Sequence, residues 1–187
     1  MSATLVIIDM QKALDDPRYG QRNNPDAEAN IARLLAFWRE NGFPVVHIKD
    51  NSLDPNSPYA PGKPTHDFKD EVKPLDHETV VEKQTNNAFI GTDLMEVLEQ
   101  IGHHELIMCG VHVHQCVEST VRMAGNLGFM VFIPEDCVIA VDVKGRDGRR
   151  WDADEVQALT LAVLDGDYAK VVTSADLMAG AEEQTLQ

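Results

Sequence analysis

The sequence predicts an α/β fold: a three-layer αβα, Rossmann-like domain whose mostly parallel sheet of about six strands lies between helices. Three observations predict it. Short apolar runs alternate with segments of helical periodicity along the chain. Several of these runs end in a charged residue, as strands do at the functional edge of a parallel sheet. Most connections between runs are long enough to contain a helix, as parallel crossovers require.

The apolar runs are the candidate strands. Residues 4–8 (TLVII) are continuously apolar and end in Asp9, which is typical of a buried parallel strand. The other runs lie at residues 45–48, 79–82, 106–109, 130–133 and 170–173. The run at 79–82 leads directly into Lys83. Right-handed crossovers would bring the carboxyl ends of all these strands to one edge of the sheet.

Helices are predicted between the strands. Residues 25–41 carry apolar side chains at helical spacing, between Pro25, which suits a first helical turn, and Gly42, which suits a C-terminal cap. Further helices are predicted after a cap at Thr92, from about Cys116 to a cap at Gly128, over 154–164, and after Ser174.

Three segments are predicted to be loops. Residues 51–78 hold five of the nine prolines and show no clear period. A loop of this length in a compact domain is usually functional or a lid. Residues 12–24 and 142–152 are the other predicted loops, the second of them charged and glycine-containing.

Composition narrows the class of protein. A chain of 187 residues is expected to form a single domain over 1–187. The net charge of −15 argues against nucleic acid or an acidic membrane as a partner, because binding phosphates needs a basic face. No apolar run approaches the length of a membrane span, and no signal peptide is recognised. Three cysteines without a framework spacing favour a reducing, cytoplasmic compartment.

Three ionisable residues are predicted to meet at the strand-end edge: Asp9, Lys83 and Cys116. A thiol at the first turn of a helix is a candidate nucleophile. The helix terminus contributes roughly 0.3–1 kcal/mol to a thiolate, whereas an ammonium at about 4 Å contributes about 4 kcal/mol, so we expect Lys83 to dominate thiolate formation. Asp9 would accept the thiol proton. Taken singly, each residue also has a structural interpretation: a turn aspartate, a surface lysine and an inert core cysteine.

Three sequence blocks resemble the isochorismatase-like cysteine hydrolases, a superfamily that includes nicotinamidases, carbamoyl-amide hydrolases and isochorismatases. They are LVIIDMQ around Asp9, VVEKQTNNAFIGTDL around Lys83 and CGVHVHQCVESTVRMAGNLGF around Cys116. The resemblance implies Asp9 as general base, Lys83 as thiolate stabiliser and Cys116 as nucleophile in a covalent acyl-thioenzyme route to cleavage of a small amide-like C–N bond. It also implies an oxyanion hole from the backbone N–H groups of His112 and Cys116, and a non-proline cis peptide near Val111–His112.

The chain departs from common family patterns in two places. Many members have a small residue and threonine where this chain has His112 and Val113. Nicotinamidases bind a metal through an Asp-x-His pair and a later histidine, whereas this chain reads Asp50-Asn51-Ser52, with His66 downstream. We therefore predict no metal. A metal-dependent hydrolase using His112, His114 or His66 with Asp50 stays an alternative, as does a non-catalytic interaction module on the same fold.

The expected pocket residues are Gln11, Asn87, Phe89, His112 and Trp151. We predict no cofactor, because the chain has no G-x-G-x-x-G for a dinucleotide. The expected partner is a small-molecule substrate that the sequence does not identify. The resemblance implies a homodimer or homotetramer.

Overall fold

The computed structural model describes residues 3–185, with side chains described through Ala181. Its centre is a seven-stranded sheet in which every strand pair is parallel. The strands are β1 (Ala3–Ile8), β2 (Val45–Asp50), β3 (Thr79–Lys83), β4 (Glu105–Val111), β5 (Met130–Pro134), β6 (Val138–Ile139) and β9 (Lys170–Val172). The predicted α/β fold is confirmed. Relative to the six predicted strands, the sheet gains the short strand β6, which pairs with the end of β4.

Helices cover both faces of the sheet. They are α1 (Ala27–Glu40), α2 (Leu94–Ile101), α3 (Glu118–Asn126), α4 (Ala153–Leu164) and α5 (Ser174–Thr185). Alternate residues of a strand point to opposite faces, and the core divides accordingly. Val6 and Ile8 pack on the face covered by α2, α3 and α4, while Leu5 and Ile7 pack on the face covered by α1 and α5. None of the described helices is long and apolar enough to cross a membrane.

Two predicted segments differ in detail from the structure. Residues 142–152 were expected to be a loop, but they contain an antiparallel hairpin formed by β7 (Val143–Lys144) and β8 (Arg150–Trp151). The helix expected from about Cys116 begins earlier, with a π-helical turn at Val113–Val117 that precedes α3. In that turn the N–H of Val117 donates to the carbonyl of His112 at 3.3 Å. The two residues are five apart in sequence, which is the separation that defines a π turn.

The strand order places the ends of four strands side by side. In the order β3-β2-β1-β4, the chain adds strands on one side of β1 and then crosses to its other side at β4. Ligands bind at such topological switch points in open α/β sheets. In register, Asp50 pairs with Lys83, and Ile8 pairs with both Ile48 and Gly110. The residues that follow these pairs therefore converge on one small region at the carboxyl edge.

Candidate active site

A close approach of β1 and β4 forms the floor of the site. Gly110 has φ of 119°, and a Cβ atom built there would lie 2.1 Å from the carbonyl oxygen of Ile8. No side chain fits at that distance, so glycine is required. The contact places Asp9, which follows Ile8, beside the Val111–His112 peptide. That peptide is cis, as the resemblance implied.

Lys83 lies at the centre of the site and is buried, with 1% of its surface exposed. Its Nζ contacts Asp9 Oδ2 at 2.8 Å, Asp50 Oδ2 at 2.9 Å and Cys116 Sγ at 3.5 Å. Burial alone lowers the pKa of a lysine, but the negative groups around Lys83 outweigh it and hold its pKa above the usual value. The ammonium therefore stays charged and binds the two carboxylates and the sulfur together.

Asp9 is set up to exchange a proton near neutral pH. It adopts a left-handed backbone conformation with φ of 54°, which turns its side chain from the strand toward Lys83. Burial raises its pKa, Lys83 lowers it and Asp50 raises it, leaving a pKa of about 6. Its second oxygen, Oδ1, is buried without a hydrogen-bond partner among the described residues. A carboxyl with a pKa near the working pH suits a general base.

Cys116 lies in the π-helical turn and is 7% exposed. Its sulfur is within 4.8 Å of carboxylate oxygens of both Asp9 and Asp50, and it lies 3.8 Å from Asn86 Oδ1, which accepts the thiol hydrogen. Burial is the main cause that raises the pKa of Cys116, and the Asp9 charge raises it further, against the opposing effect of Lys83. The expectation that Lys83 would dominate thiolate formation is therefore wrong. Its single positive charge is shared by two carboxylates, so it does not hold the pKa of Cys116 below the usual value.

A cavity of about 150 Å³ opens onto this cluster. Its volume is below the roughly 300–1,000 Å³ of sites for drug-sized ligands, so it suits a small molecule. The lining residues are Asp9, Tyr19, Asp50, Ser52, Ser57, Tyr59, Asn86, Val111, His112, Gln115 and Cys116. The wall is polar: of the lining residues, Val111 is the aliphatic one.

Of the pocket residues predicted from the sequence, one lines the cavity and others lie outside its wall. His112 lines the cavity, as expected. Gln11 lies behind the wall, where its amide bonds to the backbone of Asp50 and His66 and fixes the end of β2. Asn87 ties its loop to α3 through the Ser119 carbonyl at 2.9 Å.

The two aromatic candidates do not line the cavity in the described part of the chain. Phe89 packs against the core and stacks on Phe129, with ring centroids 6.4 Å apart. Trp151 belongs to the β7–β8 hairpin, where Arg149 lies 4.6 Å over its ring.

Several wall residues were not expected from the sequence. Tyr59, Ser52 and Ser57 come from the proline-rich segment 51–78, which closes over one side of the cavity. That segment was expected to be functional, but its lack of periodicity gave no means of choosing residues within it. Asn86 is the sequence neighbour of Asn87, which was predicted. The Asn86-Asn87 pair in the sequence could have indicated either residue as a wall residue. Asp50 had an expected role only in the metal-dependent alternative, as a ligand.

The donor atoms leave little room for a metal. The carboxylates of Asp9 and Asp50 with the Cys116 sulfur are close enough to hold a cation. The Lys83 ammonium already contacts all three, and its charge repels a second cation. The histidines of the metal alternative bond elsewhere or lie outside this group: His66 Nε2 lies 2.6 Å from Asn51 Oδ1, and the ring of His112 lies tilted against Tyr19, with ring centroids 5.0 Å apart.

A larger cavity, of about 370 Å³, lies at the opposite end of the sheet. It is lined by residues at the start of β2 and β3, including Arg39 and Glu78, whose side chains are bonded to each other at 2.7 Å. None of its lining residues in the described part of the chain is a cysteine or a serine. The smaller cavity is therefore the candidate active site, on its chemistry rather than its volume.

Comparisons with known proteins place the chain in a family. The family model described as the isochorismatase domain matches residues 3–175. The isochorismatase family protein YrdC of Bacillus subtilis is 36% identical over 174 residues, 93% of each chain. A crystal structure assigned to the isochorismatase hydrolase family, from Chromobacterium violaceum, is 52% identical with a TM-score of 0.92, covering 95% of this chain and 92% of that one.

An amidase is among the more distant relatives. Maleamate amidohydrolase of Pseudomonas putida is 27% identical over 166 residues, which cover 81% of this chain and 73% of the amidohydrolase. The family model and the near full-length structural match agree with the fold. The chain belongs to the isochorismatase family of hydrolases.

Proposed function

We propose that this protein is a cysteine hydrolase that cleaves a small amide-like C–N bond through a covalent acyl-thioenzyme. One observation carries the proposal: the Lys83 ammonium lies 2.8 Å from Asp9 and 3.5 Å from the Cys116 sulfur, beside a small polar cavity. Nucleophile, base and electrostatic stabiliser are then within reach of one bound carbonyl.

The first half-reaction transfers a proton as the sulfur attacks. Asp9, ionised above its pKa of about 6, takes the thiol proton while Cys116 Sγ bonds to the carbonyl carbon. This route needs no resting thiolate, which agrees with the raised pKa of Cys116. Asp9 then gives the proton to the leaving nitrogen as the C–N bond breaks, and the amine departs. Lys83 offsets the negative charge throughout.

The second half-reaction releases the acyl group. Asp9 takes a proton from a water molecule, whose oxygen bonds to the thioester carbon. The C–S bond breaks, the carboxylic acid leaves, and the proton returns to the sulfur. The backbone N–H groups of His112 and Cys116 are the proposed oxyanion donors. The position of both residues on the cavity wall supports this assignment of the oxyanion donors.

Ammonia release from a panel of small primary amides tests the proposal. We expect turnover by the wild type and a loss of about a thousandfold or more in Cys116→Ala, because the nucleophile is gone. Cys137→Ala is the matched control: Cys137 is buried on the sheet face covered by α1 and α5, so its variant should keep wild-type turnover. Equal turnover by Cys116→Ala and the wild type would overturn the mechanism.

The same assay separates the alternatives. Loss of turnover on treatment with a chelator, restored by one divalent metal, would favour the metal-dependent hydrolase. A folded wild type that turns over no amide and whose Cys116 resists alkylation would favour the interaction module. We also propose a cytoplasmic homodimer or homotetramer, for which light scattering on the purified chain is the direct measurement.

A further inference from the structure

The charges around the cavity are unevenly balanced. One ammonium, Lys83, is bonded to two carboxylates, Asp9 and Asp50, so the formal sum is −1. None of the described lining residues is a lysine or an arginine. Arg18, next to the wall residue Tyr19, is itself bonded to Asp16 at 2.9 Å and to the Asn56 carbonyl. No cation of the described wall is therefore free to pair with a carboxylate on a ligand.

The histidine on the wall does not supply that cation. His112 is 5% exposed, and burial lowers its pKa to about 4, with His114 opposing its charge as well. At neutral pH its ring is uncharged and offers hydrogen bonds without a positive charge.

Two polar atoms on the wall lack partners. The Tyr59 hydroxyl and His112 Nε2 are buried and make no hydrogen bond with any described residue. Both residues line the cavity, with Tyr19 in ring contact with each of them at 6.2 and 5.0 Å. Buried polar atoms are nearly always satisfied in native structures, so unpartnered atoms on residues that line a cavity point to a ligand as the missing partner.

We propose that the cavity selects small uncharged amides over amides that carry a carboxylate, with Tyr59 Oη and His112 Nε2 hydrogen-bonding a second polar group of the substrate. This inference rests on the proposed function for its chemistry, but the selection by charge is a property of the wall. A carboxylate at about 5 Å from a net negative charge, at an effective dielectric near 20, is disfavoured by about a hundredfold.

Two isosteric pairs of compounds test the selection. Maleamide and maleamate differ by one amide in place of one carboxylate, and kcat/KM is measured for each. Iodoacetamide and iodoacetate differ in the same way, and both alkylate thiols without needing turnover. Their rates at Cys116, assigned by peptide mapping, are each divided by the rate with glutathione. We expect the neutral member of each pair to be favoured at least about tenfold.

Variants separate the causes. Asp50→Asn removes one negative charge and should move the iodoacetamide-to-iodoacetate ratio toward that of glutathione. Tyr59→Phe removes only the unpartnered hydroxyl and should raise KM for maleamide about tenfold with a smaller change in kcat. Tyr168→Phe is the control, since Tyr168 stacks on Arg122 away from the cavity and its variant should match the wild type.

The outcomes distinguish this inference from the hydrolase proposal. Turnover with maleamate equal to or above maleamide overturns the charge selection and leaves the hydrolase standing. Neutral preference in alkylation without turnover of either amide supports the selection and contradicts the hydrolase. Equal normalised alkylation by both reagents, or a Cys116 that reacts with neither, overturns the selection.

Discussion

Replacing Lys83 by methionine removes the charge at the centre of the site while keeping most of the side-chain volume. In the wild type the ammonium lies 2.8 Å from Asp9 and 2.9 Å from Asp50. Removing an attraction of about 4 kcal/mol, the value for unit charges 4 Å apart at a dielectric near 20, raises the pKa of Asp9 by two to three units. Starting from about 6, Asp9 then stays protonated at neutral pH.

The stability of the variant should consequently depend on pH where the wild type does not. A carboxyl whose folded-state pKa lies above its unfolded value contributes stability at low pH that is lost as pH rises through the folded pKa. For wild-type Asp9 that loss is complete just above pH 6. In Lys83→Met it continues to about pH 8, at about 1.4 kcal/mol per pH unit. Between pH 6 and pH 8 the variant should therefore lose an additional 2–3 kcal/mol relative to the wild type.

Urea unfolding at pH 6, 7 and 8 measures this difference. Lys12→Met is the matched control, because Lys12 pairs with Asp70 at the surface with 42% of its side chain exposed and should contribute little at any pH. Lys83→Met should lose amide turnover at pH 7, because Asp9, its base, is protonated there, and it should regain part of that turnover above pH 8. A stability difference that is constant from pH 6 to pH 8 would refute the proposed charge coupling.

Three further predictions follow from buried groups. Tyr59→Phe should be as stable as the wild type or more stable, by up to about 1–3 kcal/mol, because it removes an unpartnered hydroxyl; a clearly lower unfolding temperature in calorimetry would show that the hydroxyl has a partner. Gly110→Ala should fail to give folded protein, as judged by circular dichroism against Gly128→Ala, because its Cβ would lie 2.1 Å from a carbonyl oxygen. Glu78 is bonded to Arg39 and His47, and although burial opposes the effect, these contacts lower its pKa to about 2. Its stability contribution of about 3 kcal/mol is complete above pH 4.5 and is lost as pH falls to 2. The free energy of unfolding of Glu78→Gln should therefore depend less on pH in that range.

The positions of the reactive residues could be predicted because they follow from local patterns. Asp9, Lys83 and Cys116 each follow an apolar run or begin a helical stretch, and parallel connectivity alone brings such positions to one edge. In the structure, Asp9 Oδ2 and Cys116 Sγ both lie within 3.5 Å of Lys83 Nζ. Burial of Cys109 in the middle of β4 was equally predictable, since it lies in a continuous apolar strand.

What the sequence did not predict depends on packing between distant segments. Tyr59 lies in a segment without periodicity, and its position depends on turns such as the bond from the Ser52 N–H to the Tyr59 carbonyl. The effect of Lys83 on the thiol was predicted wrongly because a pairwise estimate omits the burial of Cys116, which is the main cause that raises its pKa, and the opposing charge of Asp9. Charges that share a partner cannot be assessed two at a time.

In the proposed mechanism a neutral Cys116 thiol transfers its proton to Asp9 as the sulfur attacks the substrate. The pH dependence of iodoacetamide alkylation at Cys116, in the wild type and in Asp9→Asn, tests it most directly. We expect the wild-type rate to rise through about pH 6 with the ionisation of Asp9, and we expect this inflection to disappear in Asp9→Asn, whose rate rises only at higher pH with the thiol itself. Identical profiles in the two proteins, both rising only near pH 8.5 as a free thiol does, would contradict the role of Asp9 as the base.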